Sequence, residues 1–359
     1  MACKICFIGA LNSIHFRKIV QYFKNRGYST YIITYHPTST GVVEDIGNKI
    51  YVPRGIPLFK KLNYFVTIFS VRKFIRKLRP DVIFAQGATG YGFVASICNV
   101  YPIILRCQGV DIQLQAFNSK FFKFLVNFNL NKATFIISVS KPMTRALLKL
   151  GISKRKILET QMGLDFKTFN SLGRKYKTTW SIICNRMLEP IYNYEVIIKA
   201  IKILKPAYPK IKVKIISDGY LKNRLKRMID RLTLSEQFEF IDFLPNPVIA
   251  NYLKKADLYI SASLSDGTSM SLLEAMGTGI FPIVSKIPAN QEWIKDGENG
   301  FLFNPVNETE LAQKIYRAFK NVSLRKKAAK INLIKIAQHG SFEDRMKEIE
   351  RVIVNYCNQ

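Results

Sequence analysis

The sequence predicts an α/β fold built from two parallel-sheet domains in tandem. Three observations carry this reading. The chain has 359 residues, more than the roughly 100–200 that a single domain usually holds. Short apolar runs, several of them ending in glycine, alternate with stretches of helical spacing, which is the pattern of a parallel sheet with crossover helices. The alternation runs through the first 151 residues and begins again near residue 180.

The first series opens with "KICFIGA" (4–10), a short apolar run ending in a glycine and an alanine. In "IHFRKIVQYFKNRGY" (14–28), Ile14, Ile19, Tyr22 and Phe23 share one helical side and Gly27 is the stop. "STYIITYHP" (29–37) is β-branched and aromatic and ends at a proline. "PDVIFAQG" (80–87), "YPIILRCQG" (101–109) and "ATFIISVS" (133–140) read as buried strands, and "KPMTRALLKLG" (141–151) as a helix ended by Gly151. A linker is expected around 165–179. The second series contains "WSIICNR", "IKVKIISDG" (211–219), "QFEFIDFL" (237–244), "ADLYISAS" (256–263) and "GIFPIVS" (279–285), and "SFEDRMKEIERVIVNYC" (341–357) reads as a closing helix. Open sheets of this kind bind ligands beyond the carboxyl ends of their strands, so sites are expected just after these runs.

Composition narrows the function. With 48% hydrophobic residues the chain has ample core, and no apolar run reaches the ~18 residues needed to cross a bilayer. "MACKICFIGA" lacks a cleavage site and reads as a strand, so cytoplasmic residence is expected. The six cysteines are scattered, and Cys3 and Cys6 find no second pair to complete a zinc site; neither zinc nor a disulfide is expected. The net charge of +30 implies an anionic partner. Residues 1–170 carry 25 Lys and Arg against 6 Asp and Glu, leaving 30 against 19 for the remainder, so the excess is concentrated in the first half.

One segment carries the chemistry. "SDGTSMSLLEAMGTGIFPIVS" (265–285) places Asp266 and Glu274 around glycine and hydroxyl residues at the expected start of a helix. A helix beginning at the carboxyl end of a parallel strand offers unpaired N–H groups and a partial positive charge to an anion, phosphate above all. Gly267 permits close approach, Thr268, Ser269 and Ser271 supply hydroxyls, and Glu274 or Asp266 could accept hydrogen bonds from a ribose or a sugar. Alone, Ser271-x-x-Glu274 favours a capping box, which would stabilise the helix and do nothing else.

The wider context decides between them. "SDGTSMSLLEAMGTGIFPIVSKIPANQEWIKDGENGFLF" resembles the donor-binding segment of the retaining glycosyltransferases of family four, which have the GT-B architecture: two Rossmann-like parallel-sheet domains facing a central cleft. That family carries Glu-x7-Glu; here Asp266 replaces the first glutamate, one methylene shorter, and Glu274 matches the second. "SIHFRKIVQYFKNRGYSTYIIT", "RPDVIFAQGATGYGFVAS", "RCQGVDI", "SVSKPMTRALLKLGISKRKILETQMGLDFKTF" and "NRMLEPIYNYEVIIKA" extend the resemblance over most of the chain, in the family's order.

The resemblance implies an acceptor domain at 1–168 with the closing helix 341–359 packed back on it, and a donor domain at 169–340. It implies a nucleotide-diphosphate sugar as donor, UDP being the commonest choice, transfer with retention by front-side attack, and no cofactor. No Asp-x-Asp pair stands at a strand end to hold a metal, so Arg186 and the helix start near Ser269 and Ser271 are expected to bind the diphosphate. Asp266, Glu274, Arg186 and Asp111 are the expected catalytic group. Gly267, Thr268, Ser269, Met270, Ser271, Leu272, Tyr192, Asp218 and Glu292 are expected around the donor, and Gly9, Ser13, His15, Gln108 and Gly109 on the acceptor side. The family's lysine a few residues after the arginine is replaced here by Pro190, Ile191 and Tyr192; Tyr192 or Lys199 could substitute.

The basic first half suggests where the acceptor is. No acidic residue occurs from Ile46 to Pro80, and "FKKLNYFVTIFSVRKFIRKLRP" (59–80) and "NSKFFKFLVNFNLNK" (118–132) mix basic with aromatic side chains. Such stretches suit an anionic membrane surface and a lipid-linked or cell-surface glycan acceptor, and they suit equally a sheet-covering helix with solvated lysines. A nucleic-acid-binding protein is the rival from another class, but zinc spacing, an RNA-recognition signature and a separate basic arm are all missing. A catalytically silent relative and a nucleotide-sugar epimerase stay open.

Overall fold

The computed structural model describes residues 3–34, 49–51, 62–98, 102–109, 112 and 119–357. The chain divides into two compact units, residues 1–162 with 344–359 and residues 163–343.

In the first unit, β1 (Lys4–Ile8), β2 (Ser29–Ile33), β3 (Lys49–Tyr51), β4 (Val82–Gln86), β5 (Ile103–Arg106), β6 (Phe135–Ser138) and β7 (Ile157–Glu159) form one parallel sheet in the order β3-β2-β1-β4-β5-β6-β7. In the second, β8 (Ser181–Cys184), β9 (Lys212–Ile216), β10 (Phe238–Ile241), β11 (Leu258–Ser261), β12 (Phe281–Ser285) and β13 (Phe301–Phe303) form another, ordered β10-β9-β8-β11-β12-β13. In each sheet the chain winds one way from the first strand and then returns to its other side. The strand order therefore reverses between β1 and β4 and again between β8 and β11, and a crevice opens at each reversal. All five residues of β4 and all five of β12 are buried, as both-face coverage by helices requires.

The first unit's helices are α1 (Ile14–Asn25), α2 (Leu62–Leu78), α3 (Tyr91–Cys98), α4 (Lys120–Lys132) and α5 (Lys141–Lys149). The second unit's are α6 (Tyr194–Leu204), α7 (Lys222–Arg231), α8 (Asn246–Lys255), α9 (Met270–Gly277), α10 (Pro288–Gln291), α11 (Glu308–Lys320) and α12 (Val322–Gln338). Ser13, Ser119, Ser140 and Ser269 each cap a helix by accepting from the N–H three residues on.

The stretch 165–179, read from sequence as a linker, is packed onto the second unit. Phe169 is buried, and Arg174 reaches the carbonyls of Leu253, Lys254 and Ala256 at the end of α8. The closing helix α13 (Phe342–Cys357) returns to the first unit. Its Glu350 accepts from Tyr22 (2.9 Å), Tyr28 (2.8 Å) and Arg26 (2.8 Å). Burial opposes ionisation of Glu350, but these three donors outweigh it and hold the carboxyl below its usual range.

One expectation is overturned here. Cys3 and Cys357 form a disulfide, with Cα atoms 5.4 Å apart. The bond follows from the return of α13 to the start of β1, a tertiary neighbourhood that cysteine spacing 354 residues apart does not display. Cys6, Cys98, Cys107 and Cys184 are free and buried, as expected of small apolar side chains in the core.

Candidate functional site

The second sheet's reversal point gathers the site. Beyond β8 the chain runs through Asn185 and Arg186 to a short turn, Pro190–Tyr192, and then into α6. Tyr194, in the first turn of α6, is buried, and its hydroxyl accepts from the Arg186 N–H (3.1 Å) while donating to the Arg186 carbonyl. One phenol thus fixes the arginine's main chain on both sides. The neighbouring loop after β9 locks on as well: Leu188 N–H donates to the Asp218 carbonyl at 3.1 Å. Gly219 makes this approach possible, since its φ is +155° and a Cβ there would lie 2.7 Å from the Leu188 carbonyl oxygen.

The Arg186 side chain crosses to the loop that follows β11. Nη1 donates to Ser269 Oγ (3.2 Å) and Ser271 Oγ (3.1 Å), and Nη2 donates to Asp266 Oδ2 at 2.6 Å. The guanidinium lies over the Tyr192 ring, 4.3 Å from its centroid. Ser271 Oγ also accepts from Tyr259, a fully buried side chain of β11, at 3.0 Å. Burial would lower the Arg186 pKa, but Asp266 and then the tyrosines Tyr192, Tyr259 and Tyr194 outweigh it; the group is held above its ordinary value and stays charged. Among the described residues, Arg186 Nε and Asn185 Oδ1 are buried without a hydrogen-bond partner.

Ser269 is the cap of α9, its Oγ accepting from the Leu272 N–H at 3.3 Å. The capping-box reading of Ser271 and Glu274 therefore fails, because Ser271 stands inside the helix and Glu274 one position beyond its first turn. The N–H groups of Met270 and Ser271 lack intrahelical partners by geometry, so this end of α9 carries unpaired donors and a partial positive charge.

Not every residue expected around the donor reaches this cluster. Leu272 is fully buried in the core, and its N–H donates to Ser269 Oγ. Glu274 is half-buried in the middle of α9, and Gly267 and Thr268 form the turn between Asp266 and the cap. Asp218 has a 66% exposed side chain 3.6 Å from Lys222. Glu292 follows α10, where its carbonyl accepts from Lys335. Lys199 is exposed in the middle of α6. Tyr194, Tyr259 and Asn185 were missed: a buried tyrosine at strand or helix spacing looks like core, and the only available signal was the unusual run of tyrosines close after Arg186.

In the first unit, Gly9 and Ser13 belong to the turn between β1 and α1, and His15 lies half-buried in the first turn of α1. A Cβ on Gly9 would come within 2.4 Å of the Phe16 ring. Gln86, at the end of β4, accepts from Ala10 N–H (3.0 Å) and donates to Ser13 Oγ (3.3 Å), holding this turn across the reversal point. Sequence reasoning did not single it out. Gln108 is exposed and Gly109 buried just beyond β5, while Asp111 lies outside the described residues.

The chain matches two family models, "Glycosyl transferase 4-like" over residues 4–140 and "Glycosyl transferases group 1" over residues 166–332. Together these cover the cores of both units, and the chain belongs to the glycosyltransferases of GT-B architecture, family-four-like type. It is 27% identical over 309 residues to the N-acetylgalactosamine-N,N'-diacetylbacillosaminyl-diphospho-undecaprenol 4-alpha-N-acetylgalactosaminyltransferase of Campylobacter jejuni, covering 80% of this chain and 82% of that one. It is 26% identical over 192 residues to the putative colanic acid biosynthesis glycosyltransferase WcaL of Escherichia coli, and there the match spans only 47% of the relative's length. The crystal structure of Anabaena Alr3699/HepE in complex with UDP and glucose shares the fold, with a TM-score of 0.83 at 17% identity over 98% of this chain and 100% of that one.

Proposed function

We propose that the protein moves a sugar from a nucleotide-diphosphate sugar, with retention and without a metal, to a hydroxyl on a lipid-linked or cell-surface glycan precursor at the cytoplasmic face of the membrane. The observation that carries the donor half is Arg186. It is a permanently charged group set at the second sheet's reversal point, bonded to two hydroxyls at the start of α9 and stacked on Tyr192. Breaking the bond from the anomeric carbon to a diphosphate builds negative charge on the leaving oxygen. Guanidinium and helix terminus are preorganised to stabilise it, with no reorientation needed as the charge develops. Asp266 and Glu274 are the carboxylates suited to accept hydrogen bonds from sugar or ribose hydroxyls, and the departing phosphate is suited to take the acceptor's proton. Gly9, Ser13, His15, Gln108, Gly109 and Asp111 are assigned to the acceptor side. In HepE, UDP and glucose are bound on the same fold.

The donor is tested by melting the protein against a panel of nucleotide sugars. A donor at 100 times its Kd stabilises the fold by about 2.7 kcal/mol, a shift of several degrees, and turnover with that sugar should follow. A panel that leaves the melting temperature unmoved, with no hydrolysis of any member, would sink the reading.

The membrane half rests on the first unit's surface. Phe69 on α2 is 77% exposed and Phe124 on α4 is 69% exposed, among the exposed Lys73, Arg76, Lys77, Lys120, Lys123 and Lys132. Helix α3 packs against both α2 and α4, so the two basic helices belong to one layer. Residues 59–61 and 118 of the two basic stretches lie outside the described residues. Among the described residues no helix is long and apolar enough to cross a membrane, so attachment at the surface through charge and aromatic insertion is the physical option. The Campylobacter relative, by its name, acts on an undecaprenol-linked substrate. Sedimentation with vesicles containing phosphatidylglycerol should be strong at low salt and lost at high salt or in a Phe69→Asp/Phe124→Asp protein; no sedimentation at low salt removes this part of the proposal.

A further inference from the structure

We infer that Asp266 is an internal stand-in for the donor's diphosphate, which makes the site select an intact nucleotide sugar over the bare nucleoside diphosphate it releases. The inference rests on the donor-site reading above. The Asp266 carboxylate takes one edge of the Arg186 guanidinium at 2.6 Å, within the range of a charge-assisted bond. The two side chains are only 13% and 14% exposed, so water screens this pair weakly. The other edge, Nη1, meets two neutral hydroxyls, which can rotate to donate to a phosphate oxygen.

A phosphate that takes the Nη2 position now bonded to Asp266 displaces that carboxylate. The released carboxylate then faces a second negative charge, which is repulsive at a partly buried position. What happens next depends on the ligand. A nucleoside diphosphate or pyrophosphate brings only anionic phosphate to the carboxylate and none of the hydroxyls of a sugar. A sugar on the terminal phosphate has several, and hydroxyl-to-carboxylate bonds are strong. The exchange is thus balanced for the substrate and unbalanced for the product, so Asp266 weakens binding of bare diphosphates and favours product departure. The loop supplies the freedom to swing, because Asp266 precedes Gly267 and stands ahead of the first turn of α9.

Inorganic pyrophosphate, which carries no sugar and no base, isolates the effect. It is titrated calorimetrically into the wild-type protein, Asp266→Asn, Asp266→Ser and Arg186→Met, each checked for a folded circular dichroism spectrum. Asp266→Asn should bind pyrophosphate roughly tenfold more tightly than the wild type, since the competing bond is gone, and Asp266→Ser should move the same way if the amide does not fold. Equal or weaker binding by the folded Asp266 variants, or none at all, overturns the stand-in. Loss of binding in Arg186→Met alongside that result leaves the donor-site reading intact. Wild-type affinity in Arg186→Met shows instead that the anion sits elsewhere, and both readings fall together.

Discussion

Replacing Arg186 with alanine should reduce glycosyl transfer by roughly 100- to 1000-fold in kcat while the protein stays folded. The arginine's main chain is held by Tyr194 and not by its own side chain, so the substitution removes the guanidinium and leaves the loop in place. It also leaves Asp266 without its ion pair, in a loop residue that can turn to solvent. Lysine should restore only part of the rate, because an ammonium cannot stack on Tyr192 while bonding Ser269, Ser271 and an anion at once. Single-turnover rates with the donor found by melting would separate lost chemistry from lost binding. A variant within about threefold of wild type in kcat would remove Arg186 from the reaction, since a preorganised charge is worth far more than that.

The largest expected effect on stability lies at the opposite end of the same sheet. Asp257→Ala should destabilise the second unit by about 3–5 kcal/mol, because it strands a buried guanidinium. Asp257 and Arg325 are 4% and 2% exposed and 2.8 Å apart. The same carboxylate accepts from Thr179 N–H (2.7 Å), Thr179 Oγ1 (2.8 Å) and Ser181 N–H (3.2 Å), tying the start of β11 to the start of β8. Arg325 further donates to Thr178 at 2.8 Å. Urea unfolding should report the loss, with a melting temperature lower by about 10 °C for a unit of this size. Asp257→Asn keeps the acceptor oxygen and should cost less. A loss below about 1 kcal/mol for the alanine protein would mean that water replaces the carboxylate, contrary to its burial.

These two residues explain how far the sequence could be read. Strands such as "ADLYISAS" and "GIFPIVS" announce themselves by apolar runs between glycines, and the helix terminus after β11 follows from one strand-to-helix junction. Arg186 was found by its place after a strand. Strand order could not be read, because β8 pairing with both β9 and β11 is decided by the packing of distant segments. The three-residue strands β3, β7 and β13 are too short to leave a period in the sequence. The supports behind Arg186 were hidden for a related reason. Tyr194 and Tyr259 are buried, and only coordinates show that each hydroxyl has a polar target. The sequence alone did not separate Ser269 from Ser271 as the cap of α9, since both offer a hydroxyl close to the next apolar run. Asp257 passed unnoticed because its arginine lies 68 residues further along.

The bond between Cys3 and Cys357, with the Glu350 contacts beside it, ties together segments 354 residues apart. The path leaves the first unit at 162 and re-enters it at 344, so the second unit is in effect a large insertion within it. Separating the chain between the two family segments would therefore deprive the first unit of the helix that fills its flank.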